Sequence, residues 1–371
     1  MWEVQPVNLA RRNLLADPLR FLLSVLGVAV SIGLILLLAG YRSGVYRQAS
    51  AYLDNTPGTV VVAERGIRDF LGTSSALPAS AEATVRQAPG VERVIPVVSQ
   101  FVIFERHGRK DGFFLIGYDP SAGGGPWRLV EGREPNADDE LVIDRITARQ
   151  HEIAIGEQIR LLDRDATVVG LSDETTFWAG SVAFARLTTL QSLLRAPGLV
   201  SFLLVTPTAA TSPEALRGRL EVPGTEVLLK SDLVANDRRL MARVYDAPVG
   251  LMVAIAFVVG VLVVGLVIYT ATIERRREYG ALKAIGARNR TLYRVVTVQA
   301  LIAAAVGAVV GVGLAYGAGA TLMAWRPQFL VDIDPTAVAI VLASSLLMAL
   351  LAALIPARTV ARLEPAEVFR G

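Results

Sequence analysis

The chain has no cysteine in 371 residues. That excludes disulfides, thiolate nucleophiles and cysteine metal sites. Histidine is almost as scarce: His107 and His151 stand isolated in the sequence, and no His-Glu-x-x-His spacing exists. Lysine occurs only at Lys110, Lys230 and Lys283, so nearly all positive charge is arginine. The balance of 37 basic against 34 acidic residues gives no field that would gather nucleic acid. A phosphate-binding loop is missing too. Its nearest approach, "GTEVLLKS" from Gly224 to Ser231, has Leu229 where the second glycine must stand. The acidic run "ADDE", residues 137–140, reads as a solvated turn before a strand rather than as a carboxylate site. Nothing here points to a catalytic centre, a metal or a bound cofactor.

Apolar length is what the sequence has in excess: 53% of residues are hydrophobic and the mean hydropathy is +0.46. Four stretches carry no charge and are long enough to cross a bilayer core, which takes roughly 20 helical residues. They are Phe21–Tyr41, then segments within Ala247–Ile273, Val295–Trp325 and Pro335–Ala357. The first is too long for the apolar core of a signal peptide. None contains an acid, a base or a metal pair, and such groups ordinarily mark an ion or proton path. Arginines set the orientation. Arg11, Arg12 and Arg20 precede span one, Arg358, Arg362 and Arg370 follow span four, and residues 274–294 between spans two and three are strongly basic. Both termini (1–20 and 358–371) and that loop are therefore expected in the cytoplasm. Residues 42–246 and the short 326–334 loop are expected outside, against the minor contrary vote of Arg42 and Arg47.

The 42–246 segment reads as an α+β domain of two subdomains. Its ends, "YRSGVYRQASAYLD" and "SDLVANDRRLMARVYDA", look like helices continuing from spans one and two, the latter capped by Ser231 or Asp232. Between them lie β-branched runs bounded by turn residues: "GTVVVAE", "RVIPVVSQFVIFE", "GFFLIGYD", "DELVID", "EQIRLLD", "ATVVGLS" and "VSFLLVTP". Helical patches intervene at "ASAEATVRQAP", "DRITARQH", "RLTTLQSLLRA" and "SPEALRGRLE", and the glycine-rich turn at 122–127 is the most flexible-looking point. The fold class is thus a membrane protein with four transmembrane α-helices and a large α+β domain between the first and second.

Two features of the spans remain. Gln299 is the most polar side chain inside span three and suits a hydrogen bond to a neighbouring helix. Gly307 with Gly311, and Gly313 with Gly317, have the spacing that lets helices approach closely. The cytoplasmic loop is the distinctive part. "EYGALKAIGARNR" is longer than a connector needs, and at helical spacing Tyr279, Leu282, Lys283 and Gly286 share a side, with Ala281, Ala284 and Ile285 nearby. A basic clamp resting on anionic lipid is one reading. A short helix fitted into a partner's cleft is the other.

At this point the sequence resembles a known family. "RRREYGALKAIGARNRTLYRVVTVQALIAAAVGAVVGVGLAYG" resembles the FtsX-like permease signature of MacB-type (type VII) ABC transporters, R-x-R-E-I-G-x-L-R-A-x-G-A followed by an apolar span. Tyr279 replaces the usual isoleucine, Lys283 the usual arginine, and Gln299 a common glutamate. "PARTVARLEPAEVFRG" resembles the family's C-terminal ending, "LVEGREPNADDELVID" its periplasmic core domain, and "RRNLLADPLRFLLSVLGVAV" its N-terminus. The resemblance implies a non-catalytic permease, most similar to the DevC/HrtB-like branch, pairing as a homodimer with two copies of a separate ATPase that binds ATP and magnesium.

The resemblance further implies an inner-membrane location and a coupling helix comprising Arg275, Arg276, Arg277, Glu278, Tyr279, Gly280, Leu282, Lys283, Ile285, Gly286 and Ala287. It implies mechanotransmission: ATPase motion travels along the helical stalks to the outer domains. Export of an amphiphile such as haem, lipid or drug is the expected outcome, with a periplasmic adaptor as a further partner. The alternative is an FtsX-like module that regulates a cell-wall hydrolase. Tyr41, Tyr46, Met241 and Tyr245 are candidates for an outer-leaflet substrate site, against a plainer reading as an aromatic belt and stalk packing.

Overall fold

A computed structural model describes residues 18–72, 74–177, 180–284 and 287–361. Nine helices and eleven strands are assigned there. In chain order the helices are α1 (Pro18–Asn55), α2 (Ala81–Gln87), α3 (Arg145–Gln150), α4 (Leu187–Leu193), α5 (Pro213–Arg219), α6 (Lys230–Glu274), α7 (Arg276–Ala284), α8 (Asn289–Trp325) and α9 (Pro335–Ala361). The strands are β1 (Val60–Glu64), β2 (Val91–Arg106), β3 (Arg109–Tyr118), β4 (Leu129–Gly132), β5 (Glu140–Asp144), β6 (Gln158–Leu161), β7 (Arg164–Ser172), β8 (Thr176–Phe177), β9 (Gly180–Arg186), β10 (Phe202–Pro207) and β11 (Thr225–Leu229). The contacts divide the chain into a membrane unit (1–43, 245–325 and 331–371) and an outer unit (44–244 and 326–330). Helices α1 and α6 each run without a break through residues of both units.

The membrane unit is held together by close backbone approach. The helices α1, α6, α8 and α9 are each long and apolar enough to cross a bilayer. Without a hydrophobic effect to drive them together, such helices associate by van der Waals packing, which small residues permit. A Cβ added at Gly307 would lie 2.6 Å from Val28 Cβ and 2.8 Å from the Val25 carbonyl oxygen. One added at Gly311 would lie 2.7 Å from the Ala29 carbonyl oxygen. Helix α8 therefore lies against α1 along this glycine pair. Gly260 of α6 faces Ser31 and Met348, where α1, α6 and α9 meet. Gln299 is 9% exposed, within the packed part of α8. Gly313 and Gly317 differ from the other pair: nothing lies within 4 Å of an added Cβ at either, so they are not seams within this chain.

The outer unit is built on one mixed sheet, with the path β11-β1-β10-β2-β3-β9-β5-β7-β4, β6 joining β2 to β7 and β8 pairing with β9. Neighbours β3 and β9, and β5 and β7, run parallel, while the remaining pairs are antiparallel. Strand period two sends alternate residues of β2 to opposite faces. Ile95 and Val97 join Tyr52, Phe184 and Phe202 in one core. Val94 packs in a second core with α2 and α5 residues, and Val98, Val102 and Phe104 in a third beneath α4. The sheet is continuous through the outer unit, and three separate clusters of buried side chains pack on it. The 122–127 turn is also firmer than its composition suggests. Gly123 and Gly124 adopt φ of +92° and +90°, and the Gly124 carbonyl accepts a hydrogen bond from Tyr52 Oη at 3.0 Å. Helix α6 starts at Lys230, ahead of the expected cap at Ser231 or Asp232.

Within the outer unit the ends of α1 and α6 are tied to each other. Arg238 donates to Ser50 Oγ at 3.0 Å and pairs with Asp54 at 3.3 Å, and Lys230 Nζ donates to the Thr56 carbonyl at 2.8 Å. The 326–330 segment packs on α1 in this unit: Gln48 Nε2 donates to the Gln328 carbonyl at 3.0 Å, and Gly44 leaves no room for a Cβ against Leu330.

Candidate functional site

The loop between spans two and three folds as α7, nine residues long, set between the end of α6 and the start of α8. An amphipathic helix turns its apolar stripe toward the nearest core, and α7 does so. Tyr279 is 2% exposed and belongs to the core shared by α1, α6, α8 and α9, with Leu282 packed against it. Gly280 is buried as well. Lys283 Nζ donates to the Ala361 carbonyl at 2.6 Å, tying α7 to the end of α9. Arg275 pairs with Glu278 at 3.7 Å, and Arg20 of α1 pairs with Glu274 at the end of α6.

Of the residues expected to form the coupling helix, Tyr279, Gly280, Leu282 and Lys283 are thus turned toward the chain's own bundle. Arg276, Arg277, Glu278, Ala281 and Ala284 are exposed, as is Arg288 beyond the helix, while Ala287 is half-buried. Within α7, Arg277, Ala281 and Ala284 recur at spacings of four and three residues, which on an α-helix is a single stripe, basic at its start and small toward its end. Ala281 and Ala284 carry the signal that marks this face, two small residues on an otherwise charged helix. Ile285 and Gly286 lie outside the described residues.

The four residues proposed for an outer-leaflet pocket fall into two groups. Tyr41 and Tyr245 belong to the membrane unit, where their rings meet edge-on with centroids 6.2 Å apart, beside an Arg42–Asp246 contact of 3.5 Å. Tyr46 and Met241 belong to the outer unit, Tyr46 half-buried and Met241 7% exposed.

In the outer domain the polar clusters serve the fold. Glu140, the last residue of the "ADDE" run, accepts from Arg133 at 2.7 Å and from the Asn136 amide at 2.7 Å. The Arg133 hydrogen bond holds the Glu140 carboxyl down at about 2. Asp144 caps α3 by accepting from the Ile146 amide at 2.7 Å, and burial pushes its carboxyl up. His151, expected to be isolated, lies 2.8 Å from Asp111 and edge-on to Phe104. Among the described residues no group of three or more His, Asp and Glu is placed to hold a metal ion.

These features define a class: a multi-pass membrane protein whose first two helices flank a large α+β domain, with a short amphipathic helix between the second and third. Comparison with known proteins gives the family. Residues 21–222 match the MacB-like periplasmic core domain, and residues 250–365 match the FtsX-like permease C-terminal domain. The chain belongs to the MacB/FtsX-like family of ABC transporter permeases.

An uncharacterized ABC transporter permease of Mycobacterium tuberculosis is 25% identical over 360 residues, covering 95% of this chain and 96% of its own. The macrolide export ATP-binding/permease protein MacB of Agrobacterium fabrum is 23% identical over 400 residues. That alignment takes in 98% of this chain but 60% of the larger relative. Among solved structures, the periplasmic region of MacB from Actinobacillus actinomycetemcomitans aligns with 50% of this chain and 94% of its own at 13% identity, with a TM-score of 0.37.

Proposed function

We propose that the chain is the membrane-spanning subunit of an ATP-driven machine in the bacterial inner membrane, coupled through α7 to a separate cytoplasmic ATPase. The observation that carries this reading is the two-sided character of α7. One side is locked to the bundle by Tyr279, Leu282 and the Lys283–Ala361 hydrogen bond, so a push on the helix reaches the spans. The other side offers Arg277, Ala281 and Ala284, shallow enough to enter a groove and basic enough to orient in it. Two chains acting with two ATPase copies, which bind the ATP and magnesium, complete the assembly.

The motion passes along α1 and α6, which continue unbroken into the outer domain. A helix rises 1.5 Å per residue and transmits tilt stiffly. The work done outside is export or extraction of a lipophilic or amphiphilic cargo, with Tyr41 and Tyr245 at the outer end of the spans. In this reading both termini and α7 are cytoplasmic. The grouping of residues 326–330 with the outer domain supports it, since this part of the 326–334 loop expected outside falls in the same unit as the large domain. A periplasmic adaptor would dock on the outer domain.

The test is Ala281→Trp and Ala284→Trp, each of which fills the small stripe without touching the anchoring face. ATPase co-purification should fall by about tenfold or more, the effect of losing roughly 1.4 kcal/mol, while the chain itself stays monodisperse. Unaltered co-purification in both variants overturns the assignment. With the native complex reconstituted, stimulation of ATP hydrolysis by haem or a lipid supports export. Stimulation only by an extracytoplasmic protein supports the regulatory alternative instead.

A further inference from the structure

Residues 66–72 leave β1 and cross the outer domain without regular secondary structure. They are strapped to α6 and β11 by a few polar ties. Asn236 Nδ2 donates to the Arg68 carbonyl at 2.7 Å. The amides of Phe70 and Leu71 both donate to Asp237 Oδ1, at 2.9 and 3.2 Å. Arg68 and the Gly66 amide reach Glu226, each at 3.2 Å. Asp237 is fully buried in the outer unit, and its second oxygen, Oδ2, has no hydrogen-bond partner among the described residues. A buried carboxylate with a bare oxygen offsets part of what its two amide bonds contribute. Burial pushes this carboxyl up to about 7. The strap is thus held shut by a contact that carries its own opposing cost.

What the strap holds down is a ring. Phe70 is 4% exposed, stacks on Tyr52 at 5.1 Å and lies 4.9 Å from Phe202. Beside it is a small, partly open cavity of about 20 Å³, its lining mostly aromatic and aliphatic, Tyr52, Phe70 and Trp127 among them, with Gln48, Thr175 and Thr176 as further polar members. That is room for one water and no more. The Trp127 Nε1–H in the same lining is buried with no hydrogen-bond partner. Tryptophan N–H groups ordinarily find an acceptor when buried. The slot therefore has aromatic walls, an unused donor, and an aromatic plug supplied by an irregular segment bracketed by Gly66, at φ +92° with open space around it, and Gly72.

We propose that this is a strapped binding site: residues 66–72 lift about Gly66 and Gly72, Phe70 leaves its slot, and a planar apolar ring bearing one hydrogen-bond acceptor takes its place and accepts from Trp127 Nε1. The ligand class follows from the walls and the donor. Flat aromatic surfaces select a ring, and the unpaired Trp127 N–H, beside Gln48 and Thr175 that already donate elsewhere, selects a carbonyl, ether or ring-nitrogen acceptor on it. The site lies wholly within the outer domain and does not depend on coupling to an ATPase, so it is testable without nucleotide.

The experiment uses the full chain in lipid nanodiscs with Leu71→Cys, the sole cysteine in an otherwise cysteine-free sequence. The rate of maleimide labelling reports how often the strap is open. Two probes are compared, 4-fluoroacetophenone, a ring with an acceptor, and 4-fluorotoluene, a similar ring without one. The first should accelerate labelling saturably and the second far less, and Trp127→Phe should remove the difference. Asp237→Ala should raise the basal rate by about tenfold or more, since it removes the acceptor of two amides. Asp237→Asn keeps an acceptor oxygen and should stay near the parent. Where Asp237→Ala fails to fold, Asn236→Ala, which cuts the tie to Arg68, should raise the rate severalfold. Labelling that neither probe accelerates overturns the proposal. So does equal acceleration by both probes that persists in Trp127→Phe, which marks a membrane effect, or a basal rate that no latch variant alters.

Discussion

The packing of span three against span one makes a sharp prediction about glycine. At Gly307 and Gly311 the atoms nearest an added Cβ include the carbonyl oxygens of Val25 and Ala29, at 2.8 and 2.7 Å. Backbone cannot swing aside, so Gly307→Ala or Gly311→Ala must push two helices apart by several tenths of an ångström. Overpacking of that kind costs about 1–3 kcal/mol. Gly27 is a control of a different sort. Its Cβ would meet Val263 Cγ1 at 2.6 Å, the tip of a side chain, and Val263 Cβ only at 3.5 Å. The penalty of Gly27→Ala should therefore be small and should vanish in Gly27→Ala/Val263→Ala. No neighbouring truncation should rescue Gly307→Ala. Gly313→Ala and Gly317→Ala, with open space around both, should be neutral or slightly stabilising, as replacing a helical glycine usually is. The assay is unfolding in mixed micelles, with the double-mutant cycle on Gly27 and Val263. Equal destabilisation at Gly307, Gly311, Gly313 and Gly317, or rescue of Gly307→Ala by Val28→Ala, would refute the reasoning.

Two further tests probe orientation and the outer fold. With Ser121→Cys and Asn289→Cys made singly, an impermeant maleimide should label the first on intact cells and the second only after permeabilisation; the reverse pattern inverts the arginine-based topology. The Glu140 carboxyl is depressed to about 2 by its Arg133 hydrogen bond. A depressed acid contributes stability that is present above its unfolded value of about 4.3 and is lost as pH falls through the folded value. Glu140→Gln should therefore flatten the outer domain's thermal stability between about pH 4 and 2 relative to the parent; an identical pH profile counts against the contact. The effect should be modest, because Arg133 is half-exposed and such pairs are screened.

Much of this architecture is legible in the residues because bilayers and sheets impose simple rules. Uncharged stretches of span length have few alternative fates, and β-branched runs such as "TVVVAE" and "VIPVVSQFVIFE" became β1 and β2. The strands that went unread have physical reasons. β4 is exposed along its whole length, so "LVEG" shows no alternation. β9 buries Ala183 and Ala185 completely, yet alanine carries little strand preference. β11, "TEVLL", was weighed only as part of a failed phosphate loop. The glycine pairs of α8 look alike in sequence because both have a spacing of four. Six residues separate the start of one pair from the start of the other, a turn of about 240° on a helix, so only one pair can face α1. The two faces of α7 are hard to tell apart in the sequence for a related reason. Tyr279 and Leu282 are apolar because they belong to the chain's own core, and the exposed face is the less conspicuous one that carries Ala281 and Ala284.

The same packing suggests how one bundle can be both anchor and moving part. In the most apolar stretch of each helix, 50% of residues are buried in α1 and in α8, 33% in α9 and 22% in α6. Gly33, Gly307 and Gly311 bring α1 and α8 to backbone contact, and interfaces that tight shift as blocks rather than deform. Helix α6 is the least buried of the four, though Ala256, Val264 and Ile268 join the shared core and Gly260 and Gly265 approach Ser31, Met348 and Ala352. It is also the helix that ends beside α7 and begins, at Lys230, in the outer sheet domain. An element with few contacts to break can slide or tilt at small cost. On the coupling proposed above, a push on α7 would enter α6 first, because α6 ends beside α7, and would reach the outer domain along α1 as well only by carrying the tighter α1–α8 block with it.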